Sequence, residues 1–152
     1  MKRAISLLTA ALLAIAIAAP AAQGQTTPAG YADQANAICK DATRQGERAL
    51  KKVKPTGDRR RDALRRGGVF AKLLGKLANG LAEVEPAPVD EALADSWVAG
   101  IRRQKRLTER YLRSARKGNH SRALVFAKKA GKVAGKNVAK AKQLGATACA
   151  GG

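Results

Sequence analysis

Apolar residues recur at steps of three and four along four stretches of the chain, and gather into one uncharged run at its start. That run, Ile5 to Ala19, is rich in Ala, Leu and Ile, with Lys2 and Arg3 before it and Pro20 at its end. A short positive segment, an apolar segment of this length and then small residues make the pattern of a secretory signal peptide. Cleavage fits after Ala21 or after Gly24. A membrane anchor would need about 20 continuous apolar residues, more than the run supplies, and no Cys follows closely enough to carry a lipid. We read 1–24 as a signal peptide and 25–152 as one domain.

Beyond it, Pro and Gly break the chain at Lys54-Pro55-Thr56-Gly57, Glu85-Pro86-Ala87-Pro88 and Gly118-Asn119-His120. The intervening segments predict helices over about 28–53, 58–84, 90–117 and 121–145. The first has Thr27 as cap and Pro28 at its first position, with Tyr31, Ala35, Ile38, Ala42, Ala49 and Val53 on one face. The second starts near Asp58 and aligns Leu64, Phe70, Leu74, Leu77, Leu81 and Val84. The third opens at Asp90 and Glu91, where negative charge suits the helix dipole, and aligns Leu93, Trp97, Ile101, Leu107 and Tyr111. The fourth is capped by Asn119 or Ser121, with Leu124, Ala127, Gly131, Ala134, Val138 and Ala141 as its expected inner face. Near-equal helices with short connections predict an all-α, up-down-up-down four-helix bundle. Gly131 and Gly135 each cost a helix interior about 1 kcal/mol relative to Ala. Either they let the fourth helix pack closely, or this segment is a flexible Lys/Ala/Gly tail.

Charge adds a second layer. Of 30 basic residues only two fall in 1–24, with no acidic one, so the remaining chain carries a formal +17. In an up-down bundle the first and third connections share an end, and both are basic. One brings Arg48, Lys51, Lys52, Lys54, Arg59, Arg60, Arg61, Arg65 and Arg66; the other brings Arg110, Arg113, Arg116, Lys117 and Arg122. The opposite end collects Glu83, Glu85, Asp90, Glu91, Asp95 and Asp33. No acidic residue occurs after Glu109, and Lys128, Lys132, Lys136 and Lys140 step by four into a stripe. Repulsion along that row would be relieved by an anion; the alternative is an ordinary solvated helix face. The candidate anion-binding residues are thus the four stripe lysines with Arg59, Arg60, Arg61, Arg113, Arg116 and Lys117.

Two cysteines remain, Cys39 and Cys149. Outside the reducing cytosol an even count points to pairing, with two free thiols as the alternative. Catalytic and cofactor chemistry finds no footing. The single His120 falls in a connection, and one His with two Cys supplies too few soft ligands for zinc or copper. There is no haem-attachment Cys-x-x-Cys-His, no Gly-rich phosphate loop and no Gly-x-Ser-x-Gly. The spacing of Glu83, Glu85, Asp90 and Glu91 fits no calcium loop. We therefore expect no enzyme activity, no cofactor and no small-molecule substrate. The aromatics Tyr31, Phe70, Trp97, Tyr111 and Phe126 are assigned to the core, which leaves no base-stacking platform.

The start Tyr31-Ala32-Asp33-Gln34-Ala35-Asn36-Ala37-Ile38-Cys39 and the end Leu144-Gly145-Ala146-Thr147-Ala148-Cys149 resemble the two ends of a group of small secreted actinobacterial helical proteins. The resemblance covers little of the middle and implies a secreted helical domain closed by a Cys39–Cys149 bridge, with no activity to carry over. The high positive charge is not a feature it implies. Two functions fit best: an exported module binding an anionic polymer or membrane surface, or a structural or protein-interaction domain of the envelope whose charge only aids solubility. A membrane-active cationic protein would further need an exposed apolar face opposite the lysines.

Overall fold

Helices form where apolar residues recur at helical spacing. The computed structural model describes residues 28–151: α1 (Pro28–Lys51), α2 (Arg59–Ala82), α3 (Glu91–Arg116), α4 (His120–Gln143) and a closing 3-10 turn, Thr147–Ala150. The expected signal peptide and the Thr27 cap lie outside the described residues. Asp58 caps α2 by accepting from the backbone N–H groups of Arg60 and Arg61, at 2.8 and 3.1 Å. Asp90 flanks α3 but makes no side-chain cap bond. Gly118 ends the third helical stretch at a positive φ of 76°, which a residue without Cβ adopts freely. Asn119 then caps α4, its Oδ1 accepting from Arg122 N–H at 3.0 Å.

Sequential helices pack in order, α1 on α2, α2 on α3 and α3 on α4, as an up-down bundle requires. Among the described residues the backbones of α1 and α4 do not approach closely; the 3-10 turn lies against both and closes that side. Three bonds hold the turn. The Asn36 amide donates to the Gly145 carbonyl at 3.2 Å and accepts from Ala148 N–H at 2.8 Å, and Cys39 is disulfide-bonded to Cys149, with Cα atoms 5.2 Å apart. This end holds the main core, where Tyr31, Ala35, Leu81, Trp97, Ile101 and Leu144 pack together. Burying a side chain such as Leu81 contributes about 1.5–3 kcal/mol.

α4 is a packed helix, but its inner face is only in part the expected one. Leu124 is 61% exposed, and Ala127 and Gly131 also face solvent. Ala123 and Asn137 are buried in addition to the expected Ala141, while Ala134 and Val138 of the expected face are half-buried, so the expectation fails in the first half of the helix and holds in part in the second. The cause is on α3. A Cβ on Gly100 would lie 2.1 Å from Asn137 Oδ1, so the helices meet through a gap that only glycine leaves open. Asn137 in turn donates to Gln104 Oε1 at 3.1 Å, while its Oδ1 has no partner. Gly131 and Gly135 have open space where a Cβ would be, so they do not mediate close packing. Phe70 is also misassigned to the core: it is 48% exposed, because α1 faces it with small residues.

Three stability measurements follow. Gly100→Ala should destabilise by about 1–3 kcal/mol through overpacking, whereas Gly131→Ala and Gly135→Ala should each stabilise by about 0.5–1 kcal/mol; urea denaturation separates the two directions. Replacing both cysteines by Ser should cost roughly 4–5 kcal/mol in the loop-entropy model for a separation of 110 residues.

Candidate functional site

The end opposite the disulfide is built by two basic connections that touch. The Arg60 guanidinium reaches across from the start of α2 and donates to the Ala115 carbonyl near the end of α3. That carbonyl, in the last turn of the helix, also accepts from Gly118 N–H at 3.1 Å. The first connection is also tied internally. Thr56 donates from its N–H and its hydroxyl to Asp62 Oδ1, at 3.0 and 2.8 Å, and Arg65 Nη1 donates to the Lys54 carbonyl at 3.0 Å. The Thr56 hydroxyl, then its backbone N–H and the nearby Arg65 and Arg66 charges, hold the Asp62 carboxyl below its ordinary value.

Where α3 passes into α4, a cleft of about 460 Å³ is lined by Arg110, Arg113, Ser114, Lys117, Asn119, Arg122 and Phe126. No carboxylate lines it. The two ion pairs among the described residues, Arg44–Asp41 and Lys105–Glu109, lie elsewhere and leave these four cations without an acidic partner within 4 Å. The guanidiniums of Arg110 and Arg122 each stand 5.9 Å from the centre of the Phe126 ring. Such cation–π contacts contribute about 0.5–1 kcal/mol at exposed sites, enough to hold two like-charged side chains beside one another. Arginine forks match the paired oxygens of phosphate and carboxylate, so the arrangement is chemically suited to an anion.

The expected site residues divide into four groups. Arg113 and Lys117 line the cleft, while Arg116 is exposed and does not line it. Arg59 and Arg61 are exposed at the start of α2, but Arg60 is engaged with Ala115. Lys128, Lys132 and Lys136 are exposed on α4. Lys140 leaves the stripe, its Nζ donating to the carbonyl of Ser96 at 2.9 Å and bonding the Ser96 hydroxyl. His120 is the exposed first residue of α4. Sequence reasoning missed Phe126, which it assigned to the core. Its position four residues after Arg122, within reach of a helix neighbour, was the available signal. Tyr111 is half-buried.

At the acidic end the Tyr31 hydroxyl is buried without a partner, and burial, then the charges of Asp90 and Asp95, raise its pKa. Among the described residues no helix is long and apolar enough to cross a membrane. Comparison with known proteins finds no matching family model, no matching curated protein and no matching solved structure.

The Asp62 clamp is testable by carbon-detected NMR titration. The carboxyl should titrate below an ordinary aspartate, and Thr56→Val should move it back up. A depressed carboxyl stabilises the fold at pH above the ordinary aspartate range, and this stabilisation is lost as pH falls through the depressed value.

Proposed function

We propose that this chain is an exported, non-enzymatic helical module that binds anionic polymers through its basic end. The observation that carries the reading is the cleft at the α3–α4 junction, with four cations and no carboxylate in its wall. Structural arginines are normally paired or capping, as Arg60 is; a group of cations held together without acids leaves its mutual repulsion for a ligand to relieve. The exposed Lys128, Lys132 and Lys136 continue the positive surface along α4. A polymer lying from cleft to stripe would therefore meet cations along its length. The Cys39–Cys149 bridge fits an oxidising, extracytoplasmic compartment, and the signal-peptide pattern fits the same place. Wall polymers, anionic head groups and extracellular nucleic acid all carry the required charge.

The second reading, an interaction domain whose charge only aids solubility, draws support from Arg60 and Lys140, two basic residues engaged in structural hydrogen bonds. A membrane-active role finds less support, because the exposed Leu124 shares its face with Lys128 rather than opposing it.

Retention on heparin, polyphosphate and DNA, measured against salt, tests the first reading. Binding should weaken steeply with salt as counterions are released. Changing Arg113, Lys117 and Arg122 together to Gln should reduce the salt slope by about two to three on DNA, and by more than the Lys128, Lys132 and Lys136 triple. Absence of salt-sensitive retention on every polyanion at low ionic strength would overturn the reading and leave the solubility role.

A further inference from the structure

The polar wall of the α3–α4 cleft is made almost wholly of hydrogen-bond donors. Arg110, Arg113, Lys117 and Arg122 carry donors and no acceptor. Asn119 spends its Oδ1 on the cap of α4, so what it has left for a ligand is its amide N–H donors. The carbonyls at the end of α3 are already accepting. Those of Arg113, Ser114 and Ala115 take the N–H groups of Lys117, Asn119 and Gly118 at 3.2, 3.0 and 3.1 Å. Among the lining side chains only the Ser114 hydroxyl remains as an acceptor. A hydroxyl-rich anion such as a uronate would bring donors that this wall cannot answer. The fitting ligand accepts from every side.

Its charges must also be crowded. Four cations share one cleft of about 460 Å³ with no acid in its wall. The end of α3 and the start of α4 meet there, so the two helix dipoles offset and the side chains decide. These cations come from both helices and from their connection, whereas a carboxylate offers two oxygens in one plane, matched by a single guanidinium fork. A phosphodiester polymer carries one charge per repeat, spaced by its sugar or polyol. Phosphates joined by an anhydride bond instead set tetrahedral groups side by side, with accepting oxygens in several directions. The Phe126 ring is already engaged by Arg110 and Arg122, so the phosphates rather than a stacked base are what such a site reads. Resting on the polyanion reading above, we propose that the cleft recognises phosphoanhydride-linked phosphates, the chemistry shared by polyphosphate and nucleoside diphosphates.

Calorimetric titration of the disulfide-intact protein at low ionic strength tests this, with pyrophosphate as ligand and citrate as a carboxylate of similar charge. Pyrophosphate should bind at least about tenfold more tightly, the worth of one further charge-assisted hydrogen bond. Arg113→Lys with Arg122→Lys keeps the charge and removes two forks; both residues are exposed, so the fold is not at stake. That variant should lose the preference for pyrophosphate yet keep its salt-sensitive retention on polyglutamate. Polyphosphate and ADP, added as competitors, identify the source of the phosphates: displacement of pyrophosphate by either supports the assignment, and displacement by neither overturns it. Equal binding of pyrophosphate and citrate, or a preference that survives in the double lysine variant, also overturns it, and leaves the polyanion reading standing where polymers are still retained. Absence of retention on every polyanion overturns both.

Discussion

Asn36 and Cys39, one helical turn apart on α1, grip the last residues of the chain. The Asn36 amide holds the Gly145 carbonyl and the Ala148 N–H, and Cys39 is bonded to Cys149. Among the described residues the backbone of α1 comes close only to α2 and the 3-10 turn, while its Tyr31 and Ala35 reach into the core shared with α3 and α4. Gly145 makes the approach possible, with a positive φ of 70° and the Ala32 methyl 3.2 Å from where its own Cβ would stand. A buried seam of large side chains is therefore replaced on this side by two hydrogen bonds from one side-chain amide to the backbone and a covalent link. In a domain of modest size, with a modest core, such a link stabilises mainly by restricting the unfolded chain.

The molecule is consequently uneven from end to end. Trp97, Leu81 and their neighbours fill the gripped end, while Leu50 and Phe70 remain partly in water toward the other. The thin end also carries the densest positive charge. Packing and electrostatics oppose one another there, since cations cannot be drawn into a core without partners. The structure places them at the surface and steadies some by local means: Arg60 on a helix-end carbonyl, Arg65 on the Lys54 carbonyl, Arg110 and Arg122 beside the Phe126 ring. The cationic cleft lies at this end, where the chain does not fill the space.

Much of this was legible in advance. Stripes of apolar residues marked four helices, Asp58, Asn119 and Gly118 marked connections, and the parity of connections placed both basic stretches at one end, where the Arg60–Ala115 contact joins them. The same reasoning failed on the first half of α4, where Leu124, Ala127 and Gly131 are exposed, though Ala141 is buried as expected. An Ala-rich helix offers nearly the same hydrophobicity on several faces, and the large Leu124 drew the expected face toward itself. Gly100 on α3 decided otherwise by leaving a gap into which Asn137 fits and a leucine would not.

The sequence by itself determined what is local: where helices begin and end, since caps and backbone hydrogen bonds act within a few residues, and the sign and rough location of the charge. It also narrowed the cysteines to one intramolecular pairing. Only the tertiary structure decided which face of α4 is buried, that Phe126 stands among guanidiniums and Phe70 half in water, and that Lys140 and Arg60 are engaged while their neighbours are not. Those outcomes depend on volumes and partners supplied by distant parts of the chain. No spacing rule within one helix contains that information.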